Sequence, residues 1–159
     1  MPHQAGVVCL AACRRFSFLV EGRDELRGEL KDWLRELIGE PQREYTRFEA
    51  ALGESAVLPP DELAGLLQQR LDALDAAIAQ HETGLKELVT QIPRLFLIES
   101  EYHLALRRAE AEWIRKLLTE FTDGSFPGIR EWQHFHDTGV PPADIIALDE
   151  KNRKEAAGG

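Results

Sequence analysis

Between Asp61 and Ile92 the residues Leu67, Leu71, Leu74, Ile78, Leu85 and Leu88 recur at steps of four and three, and His81 stands where the same rhythm asks for a leucine. A heptad seam of this kind keeps one apolar edge aligned along a whole helix, because its short period tracks a slightly supercoiled neighbour. At the α-helical rise the segment would be roughly 48 Å long. A chain of 159 residues has too little material to wrap such a rod by itself, so part of the seam is expected to meet another helix or another subunit. The polar His81 either sets register and partner choice or gives the seam a titrating group.

The remaining segments arrange themselves around that helix. Leu26, Leu30, Trp33, Leu34 and Leu37 fall on one face of a helix starting at Gly22 and closed by Gly39 and Pro41. Along it Arg23, Arg27, Lys31 and Arg35 step by four. Asp24, Glu25, Glu29, Asp32 and Glu36 interleave with them, which describes a self-paired, solvated surface better than a phosphate-binding one. A short amphipathic piece, Tyr45 to Leu52, suits the end of a bundle, and Pro60-Asp61-Glu62 is a favourable first turn for the seam helix.

Beyond Pro93 a second long helix is predicted from Arg94 to Phe121. Its apolar residues form two sets. Leu95, Tyr102, Leu106, Ala109, Trp113 and Leu117 lie near one line; Leu97, Leu104, Ala111, Ile114, Leu118 and Phe121 cover another face. Two faces need two partners. One is the antiparallel helix before Pro93, and the other is the first helix or a second subunit. The expected fold is all-α: a long antiparallel helical hairpin plus an N-terminal linking helix, the bundle completed by dimerisation. Leu67, Leu71, Leu74, Ile78, Leu85, Leu88, Leu97, Leu104, Ile114 and Leu118 are the expected dimer interface. Gly124 and Gly128 bracket a break, and Ile129, Trp132, Phe135 and His136 suggest one more short helix. Residues 1–21 show no clean period, and residues 137–159 read as a loose tail.

Charge and cysteine usage narrow the function classes. A net charge of −9 opposes non-specific binding to nucleic acid. Cys9 and Cys13 are too close in sequence for a useful disulfide, which suits a reducing, cytoplasmic setting. Leu10-Ala11-Ala12-Cys13 has the form of a lipoprotein cleavage site, but the first six residues carry no Lys or Arg and the apolar run before the cysteine is short. No apolar run reaches the ~18 residues of a membrane span.

Candidate chemistry is sparse. His134 and His136 would diverge by about 200° on a helix and could chelate together only on a strand. Glu99, Glu101 and His103 likewise spread around a helix, and neither long helix carries the Glu-x-x-His pair of a di-iron bundle. No Gly-rich phosphate loop, no G-x-S-x-G and no Ser or Cys beside a base appears in the sequence. The expectation is a non-enzyme with no metal and no cofactor. Tyr102 and Trp113, three turns apart on one stripe, are the candidate ligand-binding pair, since flat apolar effectors bind between such side chains.

The order of these features resembles a known family. Glu21 to Leu34, the Glu40-Pro41 break, Tyr45 to Leu52, Leu58-Pro59-Pro60-Asp61-Glu62-Leu63, the seam helix, Leu95 to Tyr102 and Ala109 to Trp113 look like the C-terminal helical region of PadR-family transcriptional regulators. The likeness covers about Gly22 to His136, so residues 22–136 are expected to form the dimerisation and effector domain. It implies a homodimer answering a small aromatic effector. In the family DNA is read by a winged helix that precedes this region. About twenty residues precede it here, without a helix-turn-helix pattern, so DNA is an expected partner only where a winged helix is present. The alternative is a helical adaptor or structural dimerisation module with no regulatory role.

Overall fold

The structure, a computed structural model, describes residues 24–157 other than 43 and 45. The expectations attached to Cys9, Cys13, Tyr45 and residues 1–21 lie outside the described residues, as does the side chain of Leu26. Helix is the only regular structure among the described residues, and the all-α class holds. In chain order the elements are α1 (Asp24–Gly39), α2 (Arg47–Gly53), α3 (Pro60–Leu88), α4 (Ile98–Asp123), α5 (Ile129–Thr138) and α6 (Ala143–Ala157), with 3-10 turns at Ser55–Val57 and Arg94–Phe96.

The seam helix α3 opens as its sequence suggests: Asp61 and Glu62 sit at the positive end of its dipole, and the Leu63 N–H donates to Pro59 O at 3.0 Å. It stops at Leu88, four residues short of the expected Ile92. Pro93 disfavours a helical Ile92, while Thr90 Oγ1 and Gln91 Nε2 both donate to Glu87 O, at 3.0 and 3.1 Å, and occupy a carbonyl at the helix end. A 3-10 turn then separates Pro93 from α4, so the second long helix begins at Ile98 instead of Arg94. At its far end Gly124 takes φ +73° and the Phe126 N–H reaches back to Glu120 O at 3.1 Å, which satisfies one of the helix's last carbonyls.

The tail carries one more helix. Its last segment is α6, opened by Ile146 N–H donating to Pro142 O at 3.1 Å and rich in Ala, Leu, Lys, Arg and Glu, all strong helix formers. Ile145 and Ile146 remain exposed, so local propensity accounts for the helix where no large apolar burial does.

By its contacts the chain divides into two compact units, and α3 and α4 each contribute to both. One unit joins the residues up to Thr46 with Gln80–His103. In it Leu88 and Leu97 are buried, Leu85 is half-buried, and α1 presents Trp33, Leu34, Leu37 and Ile38 to solvent. The other unit joins Arg47–Ala79 with Leu104–Gly159 and carries the main core. There Leu63, Leu67 and Leu71 of α3 pack with Ala111 and Ile114 of α4; Phe48, Leu74, Ile78, Leu117, Leu118, Phe121 and Trp132 close around them, and Leu104 is also buried. At the edge of this core Phe121 meets Phe126 and Trp132 edge-on, at centroid distances of 4.9 and 5.9 Å, which seats α5. No helix among the described residues is long and apolar enough to cross a membrane.

Candidate functional site

One group of polar residues lies near the turn from α3 to α4. Within the unit holding Gln80–His103, Ser100 Oγ stands 2.6 Å from His81 Nε2. A separation of nineteen positions hides this hydroxyl–imidazole pair from any local motif; a histidine at a heptad position is its one trace in the sequence. The imidazole is half-buried and the serine satisfies it, which is how a polar group at a seam position avoids a desolvation penalty. Beside it Arg94 donates from Nε at 2.9 Å and from Nη2 at 2.8 Å to the two oxygens of Glu101. These hydrogen bonds hold the Glu101 carboxyl below its ordinary range. Tyr102 adjoins the His103 ring with 6.3 Å between centroids and is 62% exposed.

In the unit holding Arg47–Ala79 and Leu104–Gly159, the short helix α2 contributes Phe48. The Arg70 guanidinium lies 3.8 Å from the centroid of the Phe48 ring, and its Nε donates to Glu110 Oε1 at 2.5 Å. Phe48 in turn meets Trp113 edge-on, at 6.4 Å and 81°. Arg70 and Glu110, with a second ion pair between Asp75 and Arg115, tie α3 to α4 along the flank of the core. At this degree of exposure each pair contributes about 1 kcal/mol or less, and the cation–π contact adds about 0.5–1 kcal/mol. Trp113 is therefore steadied from one side while 46% of it stays open.

The two proposed ligand aromatics, Tyr102 and Trp113, are not drawn together around a small cavity. They sit on one helix at a spacing of about 16 Å, each open to solvent, with the exposed Leu106 between them. Of the ten leucines and isoleucines expected to meet a second subunit, Leu67, Leu71, Leu88, Leu97, Leu104 and Ile114 are buried within the single chain, and Leu74, Ile78, Leu85 and Leu118 are half-buried in it. His134 and His136 lie on α5, where helical geometry turns them apart, and His136 Nε2 makes a 3.0 Å hydrogen bond with Ala56 O. Among the described residues no group of three or more His, Cys, Asp or Glu side chains is placed to hold a metal ion.

The open side of α4 offers large apolar and aromatic side chains edged by carboxylates, a composition suited to association. Comparison with protein-family models, with curated proteins and with solved structures finds no match.

Proposed function

We propose that this chain is a helical association module that works as a homodimer and, by the resemblance of Gly22 to His136, corresponds to the dimerisation and effector-response part of a PadR-like transcriptional regulator. In this reading α3 and α4 are the arms of an antiparallel hairpin, and a second chain completes the bundle. One observation carries it: α4 turns one apolar face into the chain's own core and leaves Tyr102, Leu106 and Trp113 exposed on another. A monomer rarely keeps such a continuous apolar strip in water without a use for it. The same aromatics supply the contact for a small, flat effector, and a reducing, cytoplasmic setting follows from the cysteine usage.

The test is the solution mass of the wild-type chain by light scattering. A dimer at tens of micromolar is expected; a single-chain mass there would defeat the proposal. Effector response is read separately, by titrating planar aromatic compounds against tryptophan fluorescence with Trp113→Phe as the control. The adaptor reading draws support from the charge of −9 and from the pairing of Arg70, Arg94 and Arg115 with acids, which leaves these arginines poorly placed for phosphates. No shift of duplex DNA by this polypeptide is expected at physiological salt in either reading. A dimer that responds to no aromatic compound would favour the adaptor.

A further inference from the structure

Where α3 starts, α4 ends and α5 starts, all within the unit holding Arg47–Ala79 and Leu104–Gly159, the chain forms a groove of about 280 Å³. Pro60, Ala64, Phe121 and Ile129 make its apolar part, and Asp61, Thr122, Arg130 and Gln133 its polar part. Contacts already formed fix the apolar part: the Phe121 ring meets Phe126 and Trp132 edge-on, and the Ile129 N–H donates to Phe126 O at 3.2 Å. Pockets for drug-sized ligands begin at about 300 Å³, so this groove suits a molecule about as large as an amino acid.

The polar groups divide into two chemistries. Arg130 brings a positive charge and a fork of N–H donors, and it pairs with no acid among the described residues. The other three are acceptors. The Asp61 carboxylate is likewise without a partner among the described residues. Thr122 Oγ1 commits its hydrogen to Leu118 O at 2.8 Å and keeps its lone pairs; Gln133 Nε2 donates to Asp137 Oδ1 at 2.9 Å, which leaves Oε1 to accept. The helix ends follow the same division. Phe121 and Thr122 stand in the last turn of α4, the negative end of its dipole, and Ile129 and Arg130 in the first turn of α5, the positive end. The start of α3 is also positive, and Asp61 and Glu62 offset it. Arg70, Arg94 and Arg115 each pair with an acid of this chain, whereas Asp61 and Arg130 line one groove without joining.

We infer that this groove binds a small zwitterion of the amino-acid class. Its carboxylate meets Arg130, its ammonium meets Asp61 with Thr122 and Gln133, and its aliphatic side chain lies against Phe121 and Ile129. The three donors of an ammonium match the three acceptors. A plain carboxylate would satisfy Arg130 and face the like charge of Asp61, and a plain amine would meet the reverse conflict, so the groove selects for both charges in one molecule. The inference depends neither on the dimer reading nor on Tyr102 and Trp113.

The test is calorimetric titration of the full chain with three probes of one carbon skeleton: L-leucine, 4-methylpentanoate, which lacks the ammonium, and 3-methylbutylamine, which lacks the carboxylate. Saturable binding of L-leucine is expected in the millimolar range or tighter, with each single-charge probe weaker by about 10-fold or more. Arg130→Gln should weaken L-leucine by a similar factor and leave the amine unchanged; Asp61→Asn should weaken L-leucine and leave 4-methylpentanoate no weaker. Both residues are exposed, so circular dichroism should keep the wild-type helix content. Trp113→Phe should leave every titration unchanged, which separates this groove from the aromatic effector surface. No saturation by L-leucine at about 10 mM, equal binding of the three probes, or binding indifferent to both variants would overturn the inference.

Discussion

Single side chains are held here by contacts that no local pattern announces. Trp132 Nε1 donates to Leu58 O at 3.1 Å across 74 residues of sequence, and its ring packs against Phe121 and Phe126. Trp132→Phe keeps most of the apolar contact and loses the donor, so it is expected to cost about 1 kcal/mol, seen as a lower urea midpoint with an unchanged slope. Glu101 offers a test by pH. Its carboxyl is depressed by the Arg94 hydrogen bonds, so its contribution is complete above the ordinary carboxylate range and lost as pH falls through the depressed value. Glu101→Gln should lower the thermal midpoint slightly at neutral pH and become indistinguishable from wild type in acid; an offset that persists in acid would show that the carboxylate is not the cause. The aromatic anchor of Trp132 was legible as a residue type and its partner was not, because a backbone acceptor 74 positions away leaves no mark on the sequence.

At the scale of the element, helix signals were read well from glycine, proline and period, and the exceptions have local causes. Gly84 lies inside α3, and a Cβ added there would meet nothing within 4 Å. Gly84→Ala is expected to stabilise by about 0.5–1 kcal/mol through helix propensity and reduced freedom of the unfolded chain. Gly139 closes α5 at φ +73°, with its N–H on Phe135 O at 2.7 Å, and there the same substitution should destabilise by about 1 kcal/mol, because a Cβ is strained in the left-handed region. Opposite shifts in thermal midpoint would check both assignments, and shifts of the same sign would refute one of them. The early end of α3 and the delayed start of α4 both follow from Pro93, whose presence was plain but whose reach was not. It acts through the conformation of the residue before it, and Thr90 and Gln91 add side-chain caps on Glu87 O.

For the whole molecule the decisive question is which apolar face of α4 is inside. Leu104 is buried and Leu106, two residues away, is half exposed. Leu104→Glu should therefore cost several kcal/mol of folding stability by placing an unpaired charge in the core. Leu106→Glu should leave the folding stability of the separated monomer within about 0.5 kcal/mol of wild type. Chemical denaturation of the two variants at low protein concentration checks this, and equal losses would mean that both faces belong to one core.

The sequence by itself determined the all-α class, the rough extent of the helices, and the existence of two apolar faces on α4. These follow from periodicity and capping, which are properties of neighbouring residues. The tertiary structure decided which face goes inward. Leu97, Leu104, Ala111 and Ile114 are buried by the chain itself, while Tyr102, Leu106 and Trp113 remain open. Periodicity is blind to that choice. A stripe of leucines is equally apolar toward its own chain and toward another, and only the packing of Leu63, Leu67 and Leu71 against Ala111 and Ile114 removes one of the two stripes from water.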